Sequence, residues 1–161
     1  MSQPQPKSPR KRFDSPEQEA YLHLWRTYDR LKAIEERLFQ QYDLSPQQYN
    51  ALRLLRAAEP ETIPTLALGA RLISRAPDMT RLLDRLEDRR LVKRDRRPEN
   101  RRVVEVAITP TGLELLDKLD EQVRQCNHEQ LGHLSPKSLA QLVALLQEAR
   151  TPHETPDQPW P

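Results

Sequence analysis

The stretch MTRLLDRLEDRRLVKRDRRPENRRVVEVAITPTG, residues 79–112, changes from a helical pattern of apolar residues to a strand pattern. From Met79 to Leu86, apolar residues recur at i, i+3, i+4 and i+7, which is the spacing of one helix face. Charged residues occupy the opposite face. We therefore predict a helix over about residues 75–89, with one side in a core and the other side charged.

Two short runs of β-prone residues follow this helix, at residues 91–94 and 103–108. The segment between them contains Pro98 and Asn100, which favour turns. This pattern predicts a two-stranded β-hairpin with a basic tip. Two short helices followed by such a hairpin form the order of a winged helix-turn-helix.

Further helices are predicted on both sides of this unit. Four dipeptides match a helix start, with an N-cap residue followed by proline at the first helical position. They are Ser15-Pro16, Ser45-Pro46, Thr109-Pro110 and Ser135-Pro136. Apolar periodicity predicts helices at about residues 17–42, 46–57 and 63–71, and two more that begin at Pro110 and Pro136. The expected fold class is mainly α, with one small two-stranded hairpin.

The two ends of the chain differ from its middle in composition. Residues 1–14 are rich in Pro, Gln, Ser and basic residues, and residues 151–161 hold four prolines. Neither end can propagate a helix or build a core. We predict a disordered basic N-terminal tail, a single domain over residues 15–150 and a disordered proline-rich C-terminal tail. No apolar run approaches a membrane span or a signal peptide, so we expect cytoplasmic residence and no membrane partner.

Positive charge is concentrated around the opening stretch. Residues 71–102 hold twelve Lys and Arg against six Asp and Glu, so their net positive charge exceeds the +2 of the whole chain. Such local charge indicates a polyanion partner. In a winged helix, the recognition helix enters the major groove and hairpin arginines reach phosphates or the minor groove. The expected DNA contacts are Arg75, Thr80, Arg81 and Arg85 on the helix, and Lys93, Arg97 and Arg101 on the hairpin.

The same stretch resembles the signature of the MarR family of bacterial transcriptional regulators. The family's usual form is similar to T-x-L-x-x-x-L-x-x-x-G-L-V-x-R, followed by a wing that ends D-R-R and then by L-T-x-x-G. Ten positions fit this form, and the helix layout extends the resemblance over about residues 17–150. The matching positions are Thr80, Leu82, Leu86, Leu91, Val92, Arg94, Arg101, Arg102, Thr109 and Gly112.

This resemblance implies a homodimer that reads a pseudo-palindromic operator in double-stranded DNA. It also implies a winged-helix DNA-binding lobe over residues 43–109, with dimerisation helices at residues 15–42 and 110–150. Family members often respond to small aromatic ligands in a cleft, or to cysteine oxidation. His23 and Trp25 are the candidate residues for such a cleft, although aromatic residues at helical spacing are more often core or dimer contacts.

Three positions depart from the family's pattern. Arg90 stands where glycine is usual, and a left-handed backbone there costs a non-glycine residue about 1 kcal/mol. Asn100, which we count among the wing residues of the DNA site, stands where aspartate is usual, so an Asp–Arg pair is replaced by a neutral hydrogen bond at most. Cys126 lies late in the fifth helix rather than early in the first, which does not support peroxide sensing.

Several other kinds of site are not expected. Phosphate-binding glycine loops, a nucleophile elbow and a metalloprotease motif are absent from the sequence, and Cys126, His128 and His133 do not share one helix face. We therefore expect no enzyme activity, cofactor or metal. The predicted function is a dimeric, sequence-specific DNA-binding regulator, namely a repressor that a small ligand releases. The alternative is a winged-helix adaptor that binds an acidic protein partner.

Overall fold

The structure, a computed structural model, describes residues 12–74 and 78–155. The chain divides into two compact units, Met1–Ala33 and Ile34–Pro161. The boundary between the units falls inside the first helix. The single domain that the sequence predicted over residues 15–150 stays a prediction. The predictions for the tails at residues 1–11 and 156–161 lie outside the described residues.

Six α-helices, three short strands and one 3-10 helix form the described part of the chain. The helices are α1 (Pro16–Gln40), α2 (Pro46–Ala58), α3 (Thr65–Arg71), α4 (Met79–Asp88), α5 (Pro110–Leu131) and α6 (Pro136–Arg150). The strands are β1 (Ile63–Pro64), β2 (Val92–Arg96) and β3 (Val104–Ile108). The mainly helical fold class predicted from the sequence is confirmed.

Cap hydrogen bonds confirm the predicted helix starts. The Ser45 side chain accepts a hydrogen bond from the Gln48 backbone N–H, and the Gln48 side chain accepts one from the Ser45 N–H. This reciprocal capping box satisfies two backbone donors at the start of α2. The hydroxyls of Thr109 and Ser135 likewise accept a backbone hydrogen bond from the first turn of α5 and of α6.

β3 is the central strand of a three-stranded antiparallel sheet, in the order β1-β3-β2. β2 and β3 form the predicted hairpin, with Arg94 opposite Val106. β1 adds a third strand, with Ile63 opposite Val106. The sequence predicted two strands only and placed residues 63–64 in a helix, because a strand this short has no alternation to detect. α3 consequently begins at Thr65.

The hydrophobic core of the second unit lies where α2, α4 and α5 meet the sheet. Its buried side chains include the apolar face predicted for α4. The largest fully buried side chains are Phe39, Leu52, Leu55, Leu68, Leu83, Leu86, Val106, Leu116 and Leu119. Because burial of one leucine contributes ~2 kcal/mol, the leucines of α4 determine which face of that helix is left for solvent.

α4 begins at Met79 rather than near residue 75, because Asp78 takes the N-cap position. The Asp78 carboxylate accepts a hydrogen bond from the Arg81 backbone N–H at 2.9 Å. A capping side chain of this kind marks the point where the helix starts. Arg75, predicted as a base contact, lies outside the described residues.

At the other end of α4, Arg90 adopts a left-handed backbone with φ 56°. The Leu91 N–H donates to the Leu86 carbonyl at 2.9 Å, and the Arg90 N–H donates to the Glu87 carbonyl at 2.8 Å. These two bonds define a Schellman motif, in which the left-handed position usually holds glycine. The Thr109 hydroxyl also donates to the Arg90 carbonyl, at 2.6 Å.

Few described residues lie outside the helices at the two ends of the chain: residues 12–15 before α1 and residues 151–155 after α6. In the first unit, the Ser15 hydroxyl caps α1 by accepting a hydrogen bond from the Gln18 N–H at 3.1 Å. After α6, the sequence predicted a tail without helix, yet a 3-10 helix occupies Thr151–His153 because Pro152 stands in a helix-start position.

No helix in the described ranges is both long and apolar enough to cross a membrane.

Candidate nucleic-acid interface

α4 presents its polar face to solvent. Thr80, Arg81 and Arg85 are all exposed, while the leucines of the same helix are buried. Arg81 and Arg85 are separated by one helical turn, so their side chains lie on one face. The structure therefore brings three of the predicted base contacts to one accessible helix surface.

A groove of about 340 Å³ lies between the start of α2 and α4. The backbone N–H groups in the first turn of a helix and arginine side chains both favour anions. One carboxylate, that of Asp78, also lines the groove. The lining residues are Ser45, Gln47, Gln48, Asp78, Arg81, Leu82 and Arg85. The groove thus places the two arginines of α4 beside the uncharged polar start of α2.

The β2–β3 hairpin, residues 92–108, is here called the wing, and Asn100 closes its tip. The Asn100 side-chain oxygen accepts a hydrogen bond from the Arg102 N–H at 3.1 Å. Its backbone carbonyl accepts another from the Val103 N–H at 2.9 Å. A bond from an Asn or Asp side chain to the backbone two residues on is an Asx turn, which both residues form. The asparagine thus keeps the turn, and its bond is to the backbone rather than to an arginine side chain.

Arg101 lies at the exposed tip of the wing. The Arg96 guanidinium donates from Nη1 to the Arg101 carbonyl at 2.9 Å, which fixes the backbone at the tip. Arg102 is also exposed beside it. Of these two adjacent arginines, the sequence analysis counted only Arg101 among the DNA contacts, although their adjacency was a visible signal for both.

Arg97 follows the last residue of β2, next to the tip of the wing, and its side chain is paired. Its Nε donates to the Glu105 carboxylate, and the Thr62 hydroxyl donates to the other oxygen of that carboxylate at 2.8 Å. Glu105 is only 8% exposed, and burial of a carboxylate is unfavourable unless it is paired and hydrogen-bonded. Arg97, predicted as a phosphate contact, therefore also neutralises a buried charge within the sheet.

Lys93 is paired as well. Its Nζ lies 2.7 Å from Asp95 Oδ2, and both side chains are largely exposed. The hydrogen bond to Asp95 is the main reason that the pKa of Lys93 is raised above its ordinary value. An exposed pair of this kind contributes little stability, but it reduces the positive potential along this edge of β2.

Arg94, Asp84 and Glu87 join β2 to α4, and we call these three residues the clamp. Arg94 Nη2 lies 2.6 Å from Asp84 Oδ1 and 2.6 Å from Glu87 Oε2. Hydrogen bonding to Glu87, followed by that to Asp84, raises the pKa of Arg94. Sequence reasoning missed the clamp: Arg94 entered only through the family pattern, and Asp84 was assigned to the charged face of α4. The spacing of Asp84 and Glu87 by about one helical turn could have indicated that both acids face the same partner.

The predicted ligand-cleft residues, His23 and Trp25, lie on α1 in the first unit. Both are exposed, Trp25 by 60%. The Trp25 ring lies 6.2 Å from the Tyr21 ring, and the His23 ring lies 6.1 Å from the Phe13 ring. These side chains therefore form an accessible aromatic surface on this unit.

In the second unit, a cavity of about 450 Å³ lies between the last turns of α1 and α5. The Tyr42 hydroxyl donates to the Gln122 side chain at this place. Cys126 is buried there, and burial raises the pKa of its thiol, so little thiolate is present at neutral pH. The lining residues are Ile34, Arg37, Leu38, Gln41, Tyr42, Gln122, Gln125, Cys126 and Glu129. Sequence reasoning missed this cavity because its two walls are far apart in the chain.

Comparison with known proteins supplies the family. A model described as MarR family matches residues 44–104. A MarR transcription factor from Planctomyces limnophilus, known as a crystal structure, is 62% identical; the match covers 84% of this chain and 98% of that chain, with a TM-score of 0.68. This chain belongs to the MarR family. It is therefore a transcriptional regulator, from a family of DNA-binding proteins that are not enzymes.

Two less similar solved structures share the fold of this MarR-family chain. Sco3205, a MarR family regulator from Streptomyces coelicolor in complex with DNA, is 16% identical with a TM-score of 0.81, over 95% of this chain and 99% of that chain. BpsR from Bordetella bronchiseptica, whose DNA binding is regulated by 6-hydroxynicotinic acid, is 25% identical with a TM-score of 0.70, over 81% of this chain and 98% of that chain. The predicted winged-helix fold is confirmed.

Metal binding was not expected for this MarR-family chain. Within residues 12–74 and 78–155, no group of three or more His, Cys, Asp or Glu side chains is placed to hold a metal ion. Cys126 is buried, whereas His128 and His133 are exposed. The three side chains that the sequence singled out thus have different environments.

Proposed function

We propose that this MarR-family regulator binds operator DNA sequence-specifically, with α4 in the major groove and the wing against the neighbouring backbone or minor groove. The observation that carries the proposal is the exposure of Arg81 and Arg85 on one face of α4, with Arg101 exposed at the wing tip. Arginine can bond two acceptors of guanine in the major groove, and a narrow minor groove attracts it. Thr80, Arg81 and Arg85 would read bases, and Arg101 would hold the wing on the duplex.

The internal ion pairs give the other wing residues a smaller share in DNA binding. Lys93 is paired with Asp95, and Arg97 is paired with Glu105. Each pair lowers the charge available to a phosphate. We propose that Lys93 and Arg97 mainly support the wing, and that Asn100 maintains the turn from which Arg101 projects.

The proposed DNA-binding form is a homodimer. α1 and α6 both expose large apolar side chains, and large exposed apolar patches mark protein interfaces. A two-fold dimer would place two copies of α4 one DNA turn apart, which matches a pseudo-palindromic operator. The exposed apolar residues are Tyr21, Leu22, Leu24, Trp25 and Tyr28 on α1, and Val143 and Leu145 on α6.

We further propose a repressor whose DNA binding is weakened by a small aromatic compound. The regulation of BpsR by 6-hydroxynicotinic acid supports this class of effector. A ligand can release DNA only if it binds the DNA-free conformation more tightly. His23 and Trp25 are the proposed contacts, because aromatic rings can stack on such a ligand. We also propose that the protein resides in the cytoplasm, because the DNA that it would bind lies there.

Selection of bound duplexes from a random pool tests the proposal. We expect a palindrome whose half-sites lie about one helical turn apart. Fluorescence anisotropy on that duplex should show log K falling with log salt by about 0.9 per phosphate neutralised. Arg101→Ala should reduce this slope, and Arg81→Ala should relax the preference at one base position. Unchanged affinity and slope in Arg101→Ala would remove the wing from the mechanism.

Two further outcomes would reject parts of the proposal. If random duplex DNA is not bound even at low salt, the DNA-binding function is wrong and the adaptor for an acidic protein takes its place. If a panel of small aromatic acids, including 6-hydroxynicotinic acid, leaves the affinity for the selected duplex unchanged, the proposed effector class is wrong.

A further inference from the structure

We propose that Arg94 is a positioning residue for DNA binding. Held by Asp84 and Glu87, it sets the angle of the wing relative to α4, so that Arg101 reaches the duplex that α4 occupies. The inference rests on the proposed DNA-binding function and adds to it the element that aligns its two contact surfaces.

Arg94 is held through both its main chain and its side chain. Its backbone N–H donates to Glu87 Oε1 at 3.0 Å, and its Nε donates to Glu87 Oε2 at 2.9 Å. Its Nη2 donates to the same Oε2 and to Asp84 Oδ1, each at 2.6 Å. A planar guanidinium bound in several fixed directions transmits orientation, which the point charge of a lysine does not.

The surroundings of Arg94 do not suit a phosphate. Two carboxylates face one guanidinium, so the clamp carries a net negative charge. The Arg94 side chain is 23% exposed, less than either acid. A phosphate that approached this site would meet like charge. Arg94 therefore acts through its bonds to α4 rather than as a DNA ligand.

The clamp lies at the base of the wing, and Arg101 lies at the tip. β2 leads from Arg94 towards the tip, so the two residues are ~10–15 Å apart along the strand. A rotation of the wing by ~10° about its base would move the tip by ~2 Å, which is enough to break a hydrogen bond. A small rotation of the wing at the clamp would thus move Arg101 out of hydrogen-bonding distance of the DNA.

A double-mutant cycle between Glu87→Gln and Arg101→Ala tests the inference, with affinity for the selected duplex as the readout. Glu87→Gln keeps the shape of the side chain but replaces one acceptor of the Arg94 bonds by an amide donor. Arg101→Ala alone should weaken binding by about tenfold, as for loss of one charge-assisted contact. In the Glu87→Gln background, Arg101→Ala should weaken binding by less than about twofold, because the wing no longer delivers Arg101.

Asp95→Asn is the charge-matched control. It removes one negative charge from β2 and releases Lys93, but it leaves the clamp intact. If charge alone mattered, both Asp95→Asn and Glu87→Gln would bind DNA more tightly. We expect tighter binding for Asp95→Asn and weaker binding for Glu87→Gln. Arg94→Lys keeps the charge of the side chain but not its geometry. This second variant should therefore weaken DNA binding and reduce the Arg101→Ala effect as Glu87→Gln does.

The outcomes separate the inference from the function on which it rests. A wild-type protein that binds no duplex would overturn both. A wild-type protein that binds, together with a tenfold Arg101→Ala effect that persists in Glu87→Gln and in Arg94→Lys, would overturn the positioning role alone. A lower melting temperature with an unchanged Arg101→Ala effect would reduce the clamp to a stabilising contact and would likewise overturn it.

Discussion

At the scale of single residues, Arg90 carries backbone strain at the end of α4. Its φ of 56° lies in the left-handed region, which is ~1 kcal/mol less favourable for a residue with a Cβ than for glycine. We expect Arg90→Gly to raise the free energy of unfolding by up to about 1 kcal/mol, less the entropy that glycine adds to the unfolded chain. Urea denaturation measures the change.

The neighbouring Arg89→Gly is the matched control. Arg89 has an ordinary φ of −86°, and its guanidinium donates to the carbonyls of Asp43 and Tyr42 at 2.6 and 3.0 Å. Because those bonds hold the turn after α1, Arg89→Gly should lower the free energy of unfolding. A rise in both variants would show that strain at Arg90 is not the cause.

At the scale of elements, the start of α5 packs directly on the turn between α4 and β2 and on the end of β3. A Cβ added at Gly112 would lie 2.3 Å from the Leu91 carbonyl oxygen and 2.7 Å from Ile108 Cγ1. We expect Gly112→Ala to lower the free energy of unfolding by about 1–3 kcal/mol, as for overpacking. Gly69→Ala is the control, because its Cβ would meet only the flexible Met79 side chain, at 3.4 Å. An equal loss of stability in both variants would contradict the packing argument.

A second contact between elements, the ion pair between α2 and α5, predicts that the stability of the fold depends on pH. Arg56 donates two hydrogen bonds to Asp120, at 3.0 and 2.8 Å, and these lower the pKa of Asp120. Since the folded pKa lies below the unfolded one, the stabilisation is complete above about pH 4 and is lost as the pH falls through the folded pKa. Asp120→Asn should therefore flatten the loss of stability in acid, measured as melting temperature against pH. The side chains are partly exposed, so the effect should stay below about 1 kcal/mol.

Asp117→Asn tests whether that flattening belongs to the bidentate pair. Asp117 lies 3.5 Å from Arg56 and is 73% exposed. Asp117→Asn removes the same charge as Asp120→Asn, but it leaves both hydrogen bonds from Arg56 to Asp120 in place. Equal flattening in both variants would attribute the acid sensitivity to net charge rather than to the Arg56–Asp120 bonds.

At the scale of the whole molecule, the exposed apolar faces predict assembly. Leu145 on α6 is 64% exposed, and the proposed dimer would bury it. We expect Leu145→Glu to convert a dimer into monomers in sedimentation equilibrium and to reduce affinity for a palindromic duplex. Leu66→Glu introduces the same change at a leucine of α3 that is 90% exposed and should leave the mass unchanged. A dimeric Leu145→Glu protein would exclude α6 from the interface.

Local features of the chain were predicted well because their causes are local. The Ser45–Gln48 capping box and the buried leucines of α4 each depend on residues within a few positions of one another. β1 was missed because its pairing with β3 joins Ile63 to Val106 across a long separation. The start of α4 was placed too early because Asp78, which caps it, was counted within the helical pattern.

The sequence by itself determined the winged-helix order, the four helix starts marked by an N-cap residue and proline, and the surface of α4 that carries Arg81 and Arg85, since periodicity and capping act over one or two turns. Only the tertiary structure decided how the remaining cations are used. It directs Arg94 to Asp84 and Glu87, and Arg97 to Glu105. Those pairs depend on strand register and on the packing of α4 against β2, and an ion pair forms only where the folded chain brings opposite charges within a few ångströms.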